Sequence, residues 1–225
     1  MPIITHDGSH TLFSSIIDEH YHSLHGAVQE SMHVFIEAAL RQCAKNQIHV
    51  LEIGFGSGLN AFLSLLEAER TNKNIHYTSI ELYPLDEACI RQLNYASQIA
   101  PDRQADFDCL HTAAWNVATK ITPHFTLEKI LTDFTNCHLP NGFDVIFFDA
   151  FSPEKQPEMW TDEIFARLYA ACNNHAILTT YCAKGYVRRA MQKAGFVVER
   201  LEGSLGKREM LRGLVLYYNQ LHFHS

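Results

Sequence analysis

The stretch "VLEIGFGSGLN", residues 50–60, decides how the chain is read: an apolar run stops at Ile53 and three glycines follow within five positions. The run reads as a strand buried on both faces, and the residues from Leu59 onward, "LNAFLSLLEAE", carry the apolar period of a helix. Gly54, Gly56 and Gly58 therefore link a strand to a helix. Glycine there permits positive φ and lets a ligand approach the main chain, while the helix N-terminus offers unpaired N–H groups and positive potential. The spacing is G-x-G-x-G, whereas the dinucleotide fingerprint is G-x-G-x-x-G, and position 59 is Leu. A ligand without pyrophosphate, whose carboxylate and ribose lie along the loop, suits this spacing, and S-adenosylmethionine is such a ligand.

Outward from the loop the chain keeps alternating strand-like and helix-like segments. "IHYTSIEL" precedes "LDEACIRQLNYAS", "FDVIFFDAF" precedes "WTDEIFARLYAAC", and "HAILTTY" precedes "GYVRRAMQKAG". This order predicts a mostly parallel sheet with helices on both faces. The last two strand-like runs, "FVVERLEG" and "LRGLVLYYNQ", are separated only by the polar loop "SLGKREM", so they are expected to pair antiparallel at one edge. The expected fold is α/β, Rossmann-like and of the class I methyltransferase type: a mostly parallel seven-stranded sheet with an antiparallel C-terminal hairpin. Residues 46–225 are read as this domain. Residues 1–45 are read as an N-terminal extension over the sheet edge, with β-like pieces around "TLFSS" and "EHYHS" and a helix from about Gln29 to Cys43.

A chain of 225 residues suits one domain of the larger sort. No stretch approaches the roughly 20 apolar residues of a membrane span, so no membrane partner is expected. "MPIITHDGSHTLFSS" has neither a basic leader nor an apolar h-region, and the six cysteines include no C-x-x-C pair. Both features point to reduced thiols in the cytoplasm. The 14 histidines include "HYHSLH", but no matching cluster of ligands accompanies it, so no metal site is expected. A net charge of −7 argues against coating nucleic acid by charge alone. From Lys184 onward, however, eight basic residues face three acidic ones, leaving −12 on the preceding 183 residues. The asymmetry marks a basic docking edge on an acidic body, or, for Arg188, Arg189 and Lys193, a solvated helix face.

Three acidic residues stand at predicted strand ends. Glu81, 23 residues beyond Gly58, occupies the place where a carboxylate chelates ribose hydroxyls in this fold class. Asp133 ends the run "TLEKILTDF" and suits an adenine amino group. Asp149 ends the buried run "DVIFF" and faces the crevice where open α/β sheets bind ligands; the alternative is a loop-fixing or N-cap aspartate. Glu52 and Asn60, flanking the glycines, complete the expected cofactor-binding set.

With "LEIGFGSGLN", "SIELYPL", "DAFSPEKQPEMWT", "TTYCAKGYVRRAMQKAGF" and "GKREMLRG" in hand, the chain resembles the methyltransferase domain of MnmC-type tRNA modification enzymes over about residues 20–215, including the entry segment "YHSLHGAVQESMHVF". The resemblance implies methylation of 5-aminomethyl-(2-thio)uridine to 5-methylaminomethyl-(2-thio)uridine at the tRNA wobble position, in the anticodon stem-loop, with S-adenosylmethionine as donor. The chain ends at Ser225 without room for the family's flavin-dependent domain, so a stand-alone methyltransferase without flavin is expected. Glu30, in the entry segment, is expected to line the cofactor pocket or to open a helix.

Asp149 is then the candidate catalytic residue, orienting the acceptor amine or receiving its proton. Phe151, Trp160 and Tyr181 are candidates to stack on an extruded uridine, although Trp160 also fits a buried helical face with Ile164 and Leu168. Lys155, Lys207 and Arg208 are candidate RNA contacts. The competing readings are a small-molecule amine transferase, either aminopropyltransferase-like or a small-amine methyltransferase, and a catalytically silent RNA-binding module.

Overall fold

The computed structural model describes residues 2–216. Among these residues eight strands form one sheet: β1 (Gln47–Ile53), β2 (Asn74–Glu81), β3 (Thr119–Thr122), β4 (Phe125–Leu131), β5 (Phe143–Phe148), β6 (Cys172–Thr180), β7 (Val197–Glu202) and β8 (Glu209–Leu214). Their spatial order is β7-β8-β6-β5-β1-β2-β4-β3. The five central strands, β4 to β6 through β1, run parallel, and the β7–β8 hairpin closes one edge antiparallel to β6. This is the class I methyltransferase arrangement. Residues 217–220 of the expected last strand lie outside the described residues.

The sheet has eight strands, not seven, because β3 turns back antiparallel on β4 through Pro123 and His124. Its sequence, Thr119-Lys120-Ile121-Thr122, offers one apolar side chain and no readable alternation; it exists because the edge of β4 is there to pair with.

Side-chain alternation along β5 feeds two cores. Val145 and Phe147 join Val50, Phe62, Tyr77 and Phe107 on one face, while Ile146 and Phe148 join Leu51, Phe165 and Val187 on the other. Helices α1 (Leu59–Thr71) and α2 (Gln104–Thr112) pack on the first face, and α3 (Asp162–Ala171) and α4 (Gly185–Ala194) on the second. Thr161 caps α3 by accepting from the Ile164 N–H, and Gly195, at φ 117°, ends α4 in the left-handed conformation that glycine adopts most readily.

Two expected helices are altered by contacts from far along the chain. "LDEACIRQLNYAS" is not one helix but two short ones, Glu87–Ile90 and Tyr95–Ile99. Between them Asn94 receives the His10 N–H and donates to Gly8 O, and the Tyr95 hydroxyl donates to His10 O, so the N-terminal segment claims the polar groups at the break. The expected helix from Gln29 to Cys43 begins at Ala27, passes through a π-helical stretch at Met32–Glu37 and ends in a 3₁₀ turn at Leu40–Gln42. That segment lies across a face of the sheet rather than over its edge alone: Phe35 packs on Phe147 at 5.1 Å, and His33 reaches Glu202 O on β7.

Candidate active site

The carboxyl ends of β1, β2, β4 and β5 surround a cleft of about 310 Å³. Its floor is the loop after β1, where Gly54 and Gly56 take φ of 94° and 49°. The Gly54 N–H donates to Ile80 O and the Gly56 N–H to Glu81 Oε2, so the end of β2 braces the loop. Glu81 Oε1 accepts from the Tyr83 N–H at 2.7 Å. Space is taken on both sides: a Cβ on Gly54 would meet Asp149 O at 3.1 Å, and one on Gly56 the Tyr21 ring at 3.0 Å. Gly58, at φ 72°, turns the chain into α1 and backs onto His111, outside the cleft lining.

Asp149 stands at the other side of the loop. Its backbone N–H donates to Ile53 O, and its Oδ2 accepts from Asn60 Nδ2 at 2.8 Å. Burial pushes its pKa up to about 7; the Asn60 hydrogen bond opposes this, the Glu30 charge adds to it and the Lys207 charge subtracts. The carboxyl therefore changes charge near neutrality, where a general base is most useful. Glu52 lies beneath, fully buried and outside the cleft lining, accepting from Ser79 Oγ at 2.7 Å.

Tyr181, at the end of β6, separates this cleft from a shallower neighbouring groove and lines both. Its hydroxyl donates to Ala150 O at 2.9 Å, and burial raises the phenol pKa well above its ordinary value. Lys207 lies over the ring, 3.9 Å from its centroid, and ion-pairs with Glu30 at 2.6 Å. Burial alone would raise the Glu30 pKa, but the Lys207 charge and the hydrogen bonds from Lys207 and the Ser23 N–H outweigh it and hold the carboxyl low.

The cleft thus gathers Gly54, Gly56, Asn60, Glu81, Asp133, Asp149, Phe151, Lys155 and Tyr181 from the expected set; Glu30, Glu52, Gly58, Trp160, Lys207 and Arg208 are not in its lining. Asp133 is engaged by its own turn, accepting from the Thr135 N–H and hydroxyl and from Asn136 Nδ2. Lys155 pairs with Asp18 at 2.5 Å. Trp160 is in the core, 3% exposed and edge-on to Phe148, and its Nε1–H donates to Phe151 O. It holds the loop after β5 from behind and presents no face to a base. Lys207 and the exposed Arg208 line the neighbouring groove with Ser152 and Lys184.

Sequence reasoning missed the segment that roofs the cleft. Glu19 Oε2 accepts from the Ser152 N–H at 2.8 Å, the Tyr21 ring meets Phe151 at 5.1 Å, and His22 Nε2 shares a 2.7 Å hydrogen bond with Ser57 Oγ of the glycine loop. Burial lowers the His22 pKa to about 4, so it is a neutral partner for Ser57. "EHYHS" carries no local sign of this placement, since its partners lie 35 to 133 residues away.

These residues fit S-adenosylmethionine. The cleft runs along the glycine loop, with Tyr21 closed over Gly56, one carboxylate (Glu81) at the end of β2 and another (Asp133) beyond β4. Residues 109–215 match the model of a family described as S-adenosyl-L-methionine-dependent methyltransferase. The match spans just under half of the chain, from α2 to the end of β8. The particular likeness is to the tRNA 5-methylaminomethyl-2-thiouridine biosynthesis bifunctional protein MnmC of Ectopseudomonas mendocina (strain ymp), 31% identical over 208 residues, covering 86% of this chain and 32% of that protein. The chain spans about a third of the length of the curated relatives it matches. The crystal structure of MNMC2 from Aquifex aeolicus shares the fold at a TM-score of 0.72 and 24% identity, over 94% of this chain and 69% of that one. Spermidine synthase from Thermotoga maritima shares it more distantly, at a TM-score of 0.55 and 14% identity over 92% of this chain and 68% of that one.

Proposed function

We propose that the chain methylates the exocyclic amine of 5-aminomethyl-(2-thio)uridine at the wobble position of tRNA, giving the 5-methylaminomethyl base. Bound S-adenosylmethionine supplies an electrophilic methyl group. In this reading the main chain at Gly54 and Gly56, Glu81 and Asp133 hold the donor, and residues 46–225 make up the methyltransferase domain with residues 1–45 as its extension. The step needs neither flavin nor metal, and it belongs in the cytoplasm where tRNA is modified.

The observation that carries the reading is Asp149: a carboxyl at a strand end, hydrogen-bonded to Asn60, raised to about 7 and lying between the glycine loop and Tyr181. An alkylamine near the lysine reference pKa of about 10.4 is mostly protonated at neutral pH and cannot attack in that form. Asp149 as the carboxylate takes the proton the ammonium must lose before attack and orients the freed lone pair; the new N–C bond forms as the S–CH3 bond breaks, and the product leaves as the secondary ammonium. Phe151 and Tyr181 border the place for the base, and the exposed Arg208 offers a cation to the RNA backbone in the adjoining groove, where Lys184 is paired with Glu154.

The test is transfer of labelled methyl from S-adenosylmethionine to tRNA carrying the aminomethyl base, followed by nucleoside mass spectrometry. Appearance of 5-methylaminomethyl-(2-thio)uridine supports the reading. Tight cofactor binding with label transferred only to small amines would replace it with the small-molecule alternative.

A further inference from the structure

Lys129, on β4, is 1% exposed and has no carboxylate partner among the described residues. Its Nζ donates at 2.7 Å to the carbonyl of His111, in the last turn of α2. The same Nζ lies 4.7 Å from the centroid of the Trp115 ring and 5.2 Å from that of Phe55. An ammonium taken out of water without a counter-charge is costly. Here a carbonyl at the negative end of a helix and the faces of two aromatic rings offset that cost. One of those rings belongs to the glycine loop, since Phe55 stands between Gly54 and Gly56 and lines the cleft. The ring is enclosed on its other sides: it is edge-on to His111 at 5.5 Å and to Trp115 at 6.2 Å, and a Cβ on Gly58 would stand 3.3 Å from its Cζ. Trp115 in turn bridges to Lys129 through the backbone, so this ring and the ammonium belong to one edge of the sheet.

We propose that Lys129 is a positioning residue for the cofactor loop: its ammonium holds the Phe55 ring against Trp115 and α2, and so fixes the main chain of Gly54 and Gly56 where S-adenosylmethionine binds. A loop that shifted would carry Phe55 off the ammonium and leave a buried charge with one face uncovered, so the charge resists the shift. The titratable neighbours do not replace that hold. His111 faces Lys129 from α2, and burial, then the Lys129 charge, lowers its pKa to about 4, so it is neutral; Asp108, three residues earlier, acts on His111. From the sheet, β2 presents Ser79 as the register partner of Lys129, and Glu52 lies beyond it on β1, bonded to Ser79. Burial pulls the Lys129 pKa down to about 8, which leaves a cation at neutral pH and removes it in mildly alkaline solution.

The inference rests on the reading that this loop holds S-adenosylmethionine, but hydrogen exchange tests it without cofactor. Lys129→Met keeps the length of the side chain and removes its charge. Replacing a buried ammonium that has no counter-charge with an apolar chain should leave the melting temperature equal or higher. The amides of residues 54–58 should nevertheless exchange about fivefold faster than in the wild type. Calorimetry should show S-adenosylmethionine bound about tenfold more weakly. In methyl transfer the loss should fall on KM for the cofactor, with kcat changed less than about twofold. Wild-type affinity should also decline as pH rises through about 8, and Lys129→Met should lack that decline. A lysine that served stability alone would give an affinity that follows the melting temperature. A folded variant with wild-type loop exchange and wild-type affinity, or one that keeps the alkaline decline, overturns the proposal. Should Lys129→Met fail to fold, the wild type decides: loop amides whose protection, corrected for intrinsic exchange, does not weaken through pH 8 overturn it. Faster loop exchange in the variant, with no S-adenosylmethionine bound by either protein, would count against the proposed function while supporting the hold of Lys129 on the loop.

Discussion

Asn60 Nδ2 and Asp149 Oδ2 are 2.8 Å apart, and this contact ties the first turn of the helix after the glycine loop to the end of β5. The glycine loop and the Asp149 carboxyl are therefore linked through the first turn of α1.

Removing the carboxylate should separate binding from chemistry. Asp149→Asn keeps the shape and is expected to lower kcat about 100-fold or more, with the dissociation constant for S-adenosylmethionine, measured by calorimetry, changed less than about threefold. Under the proposed role of Asp149, wild-type activity should rise as pH increases through about 7, where its carboxyl ionises. Equal turnover in the variant would remove Asp149 from the mechanism.

Glu30 and Lys207 act on Asp149 with opposite signs. Glu30→Gln should move the acid limb of the kcat/KM profile to lower pH and Lys207→Met to higher pH. Each single change also strands a partly buried charge, so the double variant should melt higher than either single one. Unshifted limbs in both single variants would show that the ion pair does not reach the site.

The two basic residues of "GKREM" should differ in salt dependence. Arg208 is exposed, while Lys207 is already neutralised by Glu30. Arg208→Ala should make the plot of log affinity for single-stranded anticodon RNA against log salt shallower by about 0.7, and Lys207→Ala should leave the slope unchanged. Equal slope changes would mean that RNA displaces Glu30.

Stability should carry the signature of two raised carboxyls. Glu52 and Asp149 rise from ordinary values of 4.5 and 3.8 to about 8 and about 7, so between those limits the folded state holds more protons than the unfolded chain. Their contribution to stability is greatest below the unfolded values and is lost as pH rises through 7 and 8. Glu52→Gln should therefore match the wild-type melting temperature near about pH 5 and exceed it by at least about 2 °C near pH 9. A difference that does not grow with pH would contradict the raised pKa.

Gly54→Ala combines a φ of 94° with a Cβ 3.1 Å from Asp149 O. It should destabilise the protein by about 1–3 kcal/mol and weaken cofactor binding together, read by thermal melts and calorimetry. A variant of unchanged stability would show that the loop relaxes freely.

Much of this molecule is written in local pattern. The strand-glycine-helix order at residues 50–60 and the apolar runs ending at Glu81 and Asp149 place these residues at the same end of a parallel sheet, because parallel strands joined by helices must all finish on one side. Tertiary structure alone decided the rest. Glu30 and Lys207 are 177 residues apart, Glu19 meets the Ser152 N–H across 133, and neither pairing leaves a periodicity to read. Trp160 fitted a stacking platform and a core face equally well in sequence; the space between Phe148 and the loop after β5 settled it as core. Strand β3 was invisible because pairing at an edge depends on the neighbour's free backbone, not on the strand's own side chains. Periodicity records which face a residue turns inward, whereas which distant residue waits there is fixed only when the layers close.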